Sequence, residues 1–360
     1  MEKSLSPWQR YCREQNIEFS VKRILIDGLG GMAQGLFASL LIGTILSTIG
    51  SYLFELSFTL WGLEINLFAD INGYAKAIQG AAMACAIGYA MKSPPFVLYS
   101  LLTVGYAANA LGGSGGPLAV WFVTVVAVFA GKLVSKRTKV DLLVTPAVTI
   151  LVGVFTAVLI APPIGRIGTA IGAFIMWATE QQPFIMGVLV SAVMGVVLTL
   201  PISSAAVCAS FGLVGLAGGA CVAGCCAHMV GFAVASYREN GVGGLAAQGL
   251  GTSMLQIPNL MRKPVLWLPA VAASVVSGPV ATCLFRMEQN GFAIASGMGT
   301  CGLVGPIGVV VGWSGQSTTV MDWLGLVLVC VLIPAVVAWL VSELMRKRGL
   351  IKDGDYKLDL

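Results

Sequence analysis

GLGTSMLQIP (249–258) and GMGTCGLVGP (297–306) share one pattern, and that pattern decides how the rest of the chain is interpreted. Both fit G-x-G-T-[S/C]-x-L-x-x-P, and they begin 48 residues apart. Each lies in apolar surroundings, yet each contains too much glycine and proline for a smooth helix. Non-helical backbone at membrane depth is tolerated only where protein or a water-filled cavity satisfies its peptide groups. Because paired broken segments point to a transporter's binding site, the pattern predicts movement of a small polar solute across a membrane.

The composition places the chain in a bilayer. Hydrophobic residues make up 57% and charged residues 10% of the 360 positions, and glycine alone accounts for 45. A chain of this length has room for about ten spans of roughly 20 residues. The net charge of +5 is small, and no dense basic face is present. Nucleic-acid binding is therefore excluded as a function class.

We accordingly predict an all-α integral membrane protein with about ten transmembrane helices. The predicted spans are 25–54, 72–91, 95–111, 117–134, 141–161, 164–180, 184–201, 204–235, 265–286 and 323–345. The segment 164–180 contains Arg166 and Glu180 and could lie at the membrane interface instead, and 204–235 is long enough to be broken internally.

Two further windows, 242–260 and 290–316, are predicted to be re-entrant hairpins. The first would enter from the cytoplasm and the second from outside, so that both approach the membrane midplane. The alternative is a pair of kinked full spans.

Charge distribution predicts the domain organisation and the orientation. Residues 1–23 are polar and lack the apolar core of a signal peptide, so we expect a cytoplasmic N-terminal segment. Residues 24–345 would form a single transmembrane domain, and 346–360 a cytoplasmic tail. Basic clusters near 22–23, 136–139, 262–263 and 346–348 are typical of cytoplasmic loops. Both termini are therefore expected inside, with the protein in the plasma membrane.

Three stretches together resemble a known family. GFAIASGMGTCGLVGPIG (291–308), TLPISSAA (199–206) and GLGTSMLQIPN (249–259) are similar to the membrane IIC proteins of the phosphotransferase system, in the branch of the perfringolysin-regulator type. The resemblance covers about 20–345. It implies an elevator-type fold of about ten helices with two re-entrant hairpins, usually a homodimer, that transports a sugar. It also implies phosphate transfer from a separate IIB protein, because no IIA or IIB domain is attached here.

Uncharged amides and hydroxyls on the two predicted hairpins suit a neutral sugar or polyol, since each can donate or accept a hydrogen bond. They are Gln248, Thr252, Gln256 and Asn259 in the first hairpin and Thr300 and Gln316 in the second. Thr252 and Thr300 occupy equivalent positions of the repeated pattern. The alternative role of these groups is to satisfy the broken backbone locally.

Four other polar residues are candidate ligands for the solute. Glu288, Gln289 and Asn290 precede the second hairpin and could bind sugar hydroxyls, or they could form a polar loop in which Arg286 pairs with Glu288. Asn109 lies beside the glycine-rich run 112–116 and could line an entrance or end a helix.

His228 is the only histidine, and it follows three cysteines in CVAGCCAHM (221–229). An ionisable residue within a span is a functional candidate, so we include His228 among the solute-binding residues. A metal site formed with Cys221, Cys225 and Cys226 is the less favoured alternative, because the flanking glycines indicate close helix packing. We expect no metal and no cofactor.

The sequence thus predicts a membrane transporter of a small polar solute that works by alternating access, without enzymatic activity of its own. A membrane-embedded sensor or regulator that binds a solute or partner remains an alternative. So does an ion- or proton-coupled carrier, for which the buried histidine would be the relevant residue.

Overall fold

The computed structural model describes residues 7–53, 57–60, 63–314 and 317–358. Its α-helices are, in chain order, α1 (Pro7–Glu14), α2 (Gly28–Leu36), α3 (Ile42–Leu53), α4 (Leu67–Ala90), α5 (Pro95–Gly112), α6 (Gly116–Val134), α7 (Asp141–Thr179), α8 (Pro183–Thr199), α9 (Ser204–Phe211), α10 (Gly215–Ala235), α11 (Tyr237–Ala246), α12 (Ile257–Arg262), α13 (Leu268–Pro279), α14 (Ala293–Ser296), α15 (Val304–Gly312), α16 (Val320–Val327) and α17 (Ile333–Lys347).

Several of these helices are joined by tighter or wider turns. The wide, π-type turns are Lys22–Asp27, Phe37–Leu41, Ala247–Gly251, Val280–Leu284 and Leu328–Leu332. The tight, 3-10 turns are Gly113–Gly115, Ser253–Gln256, Pro264–Trp267 and Cys301–Leu303. Such insertions cluster at functional sites and bends.

One short antiparallel hairpin adds to the all-α prediction. Strands β1 (Ser57–Leu60) and β2 (Leu63–Asn66) pair with Ser57 opposite Asn66. The hairpin lies between α3 and α4, outside the predicted spans.

Six helical runs in the described residues are long and apolar enough to cross a membrane. They are Lys22–Ser47, Pro95–Val134, Asp141–Thr179, Gly215–Ala235, Pro264–Leu284 and Val320–Lys347. The predicted count of about ten spans and the two re-entrant hairpins stay predictions.

The two spans predicted at 141–161 and 164–180 are one continuous helix, α7, which is 39 residues long. Pro162-Pro163 lies between the two predicted spans. A proline removes only its own N–H and disturbs the preceding turn, and the helix continues on both sides of the pair. The long window 204–235 is broken, as anticipated: Gly212 has φ of +59° and separates α9 from α10.

The chain divides into two compact units. The first contains residues 1–40 and 74–166, and the second contains 41–73 and 167–360. In the first unit α5 and α6 pack as a hairpin. Lys132 is almost fully buried there, and its ammonium group donates to the carbonyls of Asn16 (2.9 Å) and Met91. Those carbonyls replace the water that a buried cation would otherwise need.

The second unit is organised around α10. Nearly all of α10 is buried, and it packs against α8, α13 and α17. Glycines allow this close approach: a Cβ at Gly224 would overlap the backbone of Ser191 in α8. The small-residue packing that the sequence indicates is therefore present, and α10 forms the wall against which the broken segments lie.

Candidate functional site

The first G-x-G-T passage breaks the helical backbone of the second unit. The wide turn Ala247–Gly251 ends at Thr252, whose φ of −159° and ψ of 141° are extended. The Thr252 hydroxyl accepts a hydrogen bond from the Met254 amide at 3.1 Å and so starts the next turn. The chain then continues through Ser253–Gln256 into α12. We call residues 237–262 the first broken segment.

The second passage breaks the chain more sharply. Between α14 and α15, Gly299 and Gly302 have φ of +53° and +52°, and Leu303 has φ of +60°. Left-handed backbone is costly for a residue with a side chain, so the glycines permit this path. We call residues 289–312 the second broken segment.

The two broken segments meet each other and α10. The Thr300 hydroxyl donates to the carbonyl of Gly249 in the first segment, and its oxygen lies 3.6 Å from the sulfur of Met229 in α10. A Cβ on Gly299 would lie 2.7 Å from the Cys225 carbonyl carbon. Thr252 and Thr300 are therefore equivalent in sequence but not in contacts: one satisfies its own segment and the other bridges the two.

His228 lies on α10 and is completely buried. Its Nδ1 is 3.0 Å from the Thr199 hydroxyl, and its ring meets Phe232 and Trp267 at centroid distances of 5.7 and 5.9 Å. Its Nε2 has no hydrogen-bond partner in the described residues. A buried polar atom without a partner is costly, so it calls for an explanation.

His228 is held in place by two residues, Thr199 and Ser253, that the sequence analysis did not identify as candidates. The Thr199 hydroxyl, at the end of α8, lies 2.8 Å from the Ser253 hydroxyl as well as beside His228. This chain of hydroxyls joins α8, α10 and the first broken segment. Whichever way its hydrogens point, it occupies Nδ1 and leaves Nε2 unpaired. Thr199 opens the TLPISSAA stretch, and Ser253 follows the predicted Thr252, but nothing in the local pattern shows that they meet.

The predicted amides of the first segment form a connected network. Gln248 donates to the Ser236 hydroxyl (2.7 Å), Gln256 donates to the Gln248 side-chain oxygen (2.9 Å), and Asn259 donates to that of Gln256 (2.9 Å). The network ends on the chain's own C-terminal residues, because Gln256 and Asn259 also donate to the carbonyls of Tyr356 and Lys357. The structure thus brings these three residues together around the tail; solute binding by them stays a prediction.

The three polar residues at 288–290 differ in their exposure. Gln289 is buried, forms an antiparallel backbone pair with Gly215, and has a side-chain oxygen without a partner in the described residues. Glu288 and Asn290 are exposed and hydrogen-bond each other at 2.9 Å. No ion pair joins Arg286 to Glu288 among the described residues. Glu288, Asn290 and Arg286 instead line a cavity of about 280 Å³ with Trp313.

The remaining predicted residues lie elsewhere. Asn109 belongs to the first unit, where it lies against Gly80 and Gly116, and Gln316 lies outside the described residues. The cysteines before His228 are buried and packed in two apolar clusters, Cys221 and Cys225 in one and Cys226 in the other. Within the described parts of the chain, no group of three or more metal-binding side chains is assembled.

Comparison with known proteins identifies the family. The sequence model described as "Phosphotransferase system, EIIC" matches residues 26–358, which is nearly the whole chain. No curated protein matches the chain. Its apolar helices agree with a membrane location. The chain belongs to the EIIC family of the phosphotransferase system, and it is a transmembrane component of sugar transport that acts on a small-molecule solute.

Proposed function

We propose that a neutral sugar or polyol binds where the two broken segments meet α10, with His228 as its central contact. The observation that carries this proposal is the unpaired Nε2 of a completely buried histidine. Nδ1 is already fixed by Thr199, so Nε2 is left to exchange one hydrogen bond with a hydroxyl of the solute.

The chemistry around His228 favours an uncharged ligand. Its near neighbours are the hydroxyls of Thr199 and Ser253 and the aromatic rings of Phe232 and Trp267. Sugar-binding sites combine hydroxyl partners with apolar or aromatic walls, whereas an anion would require a positive group. Thr300 and Thr252, one in each broken segment, complete the proposed site.

We further propose that the segments are the two re-entrant hairpins, 242–260 and 290–316, of a protein with about ten spans. Their helical pieces support this. At 1.5 Å per residue, the nine residues of α15 extend about 13 Å and the six of α12 about 9 Å, against a hydrocarbon core of about 30 Å. Pieces of that length suit hairpins that stop part way through the bilayer.

Access to His228 requires movement. Because the residue is completely buried, a solute reaches it only after a neighbouring part of the chain is displaced, and this supports alternating access. In the proposed mechanism the second unit carries the solute, the first provides the scaffold of a homodimer, and both termini face the cytoplasm. A separate IIB protein would supply phosphate. Membership of the perfringolysin-regulator branch remains a prediction.

The regulator alternative needs exposed cytoplasmic parts to which a partner could bind. Tyr356 in the tail is completely buried, so part of the tail that could have served this purpose is bound to the second unit. This observation favours transport. The proton-coupled alternative is favoured only by the presence of His228 itself.

The test is ligand-induced stabilisation of the purified protein by monosaccharides, disaccharides and polyols. A ligand selective for the folded state raises the melting temperature by mass action. We expect at least one hit, and we expect His228→Gln and Thr300→Val to abolish it.

The matched control is Thr124→Val. Thr124 is a fully buried threonine of the first unit whose hydroxyl has no partner in the described residues. This variant should retain the response. A panel without any hit, or a hit retained by both site variants, would contradict the proposal.

A further inference from the structure

The tail that follows α17 is folded onto the first broken segment. Its composition, RKRGLIKDGDYKLDL over residues 346–360, is that of a solvated charged end. Yet Tyr356 is completely buried, and Ile351 and Leu358 are at most 9% exposed. Ile351 and Tyr356 pack into the apolar cluster of Phe232, Leu260 and Leu266. We call residues 350–358 the strap.

Three side-chain amides of the segment hold the backbone of the strap. Asn240 donates to the Tyr356 carbonyl and accepts from the Leu358 amide, each at 2.9 Å. Gln256 donates to the same Tyr356 carbonyl at 3.1 Å, and Asn259 donates to that of Lys357 at 2.9 Å. Side-chain amides that pair with peptide groups form a site for a short peptide backbone.

Two specific contacts set the register of the strap. The Tyr356 hydroxyl donates to the Leu266 carbonyl at 2.8 Å, and the Asp355 carboxylate pairs with Lys263 at 2.6 Å. Burial raises the pKa of Asp355, but its hydrogen bonds from Lys263 and from the Lys352 amide, with the charges of both lysines, outweigh that and lower the pKa. The carboxylate is therefore ionised at neutral pH, as the pair requires.

The strap is connected to the proposed solute site by two routes. Gln256, which holds the strap, also bonds Gln248, and Gln248 precedes the Gly249 carbonyl that receives Thr300. The Tyr356 ring lies 6.3 Å from that of Phe232, which in turn faces His228. Movement of residues 247–262 therefore has to break the contacts of the strap or carry it along.

We propose that the first broken segment contains a peptide-binding site, that the strap occupies it within the same chain, and that this occupancy restrains the segment. The ligand class is a short peptide that forms a turn, as residues 352–357 do here through hydrogen bonds from the Asp355 amide to the Lys352 carbonyl and from the Lys357 amide to the Gly354 carbonyl, with the sequence feature Asp-Tyr-Lys. Release of the strap frees the segment to move. The restraint stands on the contacts above, whereas its effect on solute exchange rests on the proposed function.

The first experiment compares amide hydrogen exchange in the full-length wild type, Asp355→Lys, Lys263→Asp and the double variant. We expect each single variant to speed exchange about tenfold in both 352–358 and 247–262, and the double variant to restore protection. The matched control is Glu343→Lys, which breaks the nearby Arg238–Glu343 pair without touching the strap. Faster exchange in the strap with unchanged exchange in 247–262 would overturn the proposal, and so would a double variant that is not restored.

A second experiment supplies the strap as a separate molecule. In a chain that ends at Gly349, the peptide of residues 350–358 should restore protection of 247–262, whereas the same peptide with Asp355→Lys should not. Equal effects of the two peptides would contradict a specific site. If the shortened chain does not fold, the charge-reversal pair decides the question.

The effect on transport is measured separately. With the sugar that stabilises the wild type most, we expect faster dissociation from Asp355→Lys and restoration in the double variant. Unchanged dissociation together with altered hydrogen exchange would overturn the regulatory part alone. The absence of any binding sugar would count against the proposed function, while the exchange result would still decide the strap.

Discussion

The two broken segments share one sequence pattern, but the protein holds them in different ways. The first is held by side-chain amides and by the strap. The second is held by serine hydroxyls that donate to backbone carbonyls, from Ser204 to Gly297 and from Ser296 to Leu213, each at 2.6 Å, and by glycines that touch neighbouring backbone. An internal repeat can therefore preserve the shape of a segment while its supporting contacts differ. The contrast predicts that the second segment is rigid and the first is the movable one.

The largest difference between the two segments is expected from substitution of the first glycine of each G-x-G-T passage. A Cβ at Gly297 would lie 2.5 Å from the Ser204 backbone, whereas at Gly249 the nearest atom is the Ala233 Cβ at 3.6 Å. We expect Gly297→Ala to lower the free energy of unfolding by about 3 kcal/mol. Gly249→Ala should change it by less than about 1 kcal/mol in either direction. Thermal unfolding in detergent measures both, and equal effects would refute the difference in packing.

The amide network of the first segment is the next target. Gln256→Leu removes the group that joins Gln248, Asn259 and Tyr356, so several buried polar atoms lose their partners. The expected loss is about 2–3 kcal/mol. Ser204→Ala removes one hydrogen bond of the second segment and should cost about 1 kcal/mol. If the two losses are equal by chemical denaturation, the first segment does not depend on its network.

Substitution of Thr300 or Thr252 should differ in which of the two segments exchanges its amide hydrogens faster. Thr300→Val leaves the Gly249 carbonyl without its donor and should cost about 1–2 kcal/mol. Hydrogen exchange should rise in both segments. Thr252→Val removes a turn cap, worth about 1 kcal/mol, and should affect only the first segment. If Thr300→Val speeds hydrogen exchange in the second segment alone, the Thr300 hydroxyl does not link the two segments.

The smallest expected effect concerns the Tyr356 hydroxyl. Tyr356→Phe removes its bond to Leu266 and should loosen the strap by about 1 kcal/mol. Burial raises the pKa of Tyr356 above its usual 10.0. The bound strap therefore favours the protonated form of Tyr356. The stability that this tyrosine gives the bound strap is fully present below pH 10.0 and is lost as the pH rises through the higher pKa of the folded state. Protection of the strap, relative to the base-catalysed exchange rate of an unfolded chain, should fall above that pH in the wild type, and Tyr356→Phe should lack this fall.

Much of the fold could be predicted because it follows from local composition. Apolar runs predict the long helices, and the G-x-G-T passages mark the broken backbone, since glycine and proline disfavour regular helix. The spans predicted separately at 141–161 and 164–180 form one helix, because Pro162-Pro163 between them does not end it. The β-hairpin was not predicted because its strands have only four residues each.

The site was only partly predictable because its contacts connect residues far apart in sequence. His228 was identified as an isolated ionisable group. Its partner Thr199 lies 29 positions away, and Thr199 is itself 54 positions from Ser253. The amides Gln248, Gln256 and Asn259 were recognised as a polar group, yet two of their hydrogen bonds go to Tyr356 and Lys357, in a tail whose charge suggested solvent. Local sequence patterns predict where the helical backbone is interrupted. They do not predict which residues distant in sequence hydrogen-bond to the interrupted segment.

The most direct test of the central claim uses the single histidine of the chain. In tag-free protein, selective ¹⁵N-histidine labelling gives NMR signals from His228 alone. Addition of the sugar that stabilises the protein most should shift the Nε2 resonance strongly and the Thr199-bonded Nδ1 resonance much less. If that sugar binds and both resonances stay unchanged, the solute site is elsewhere and the account is wrong.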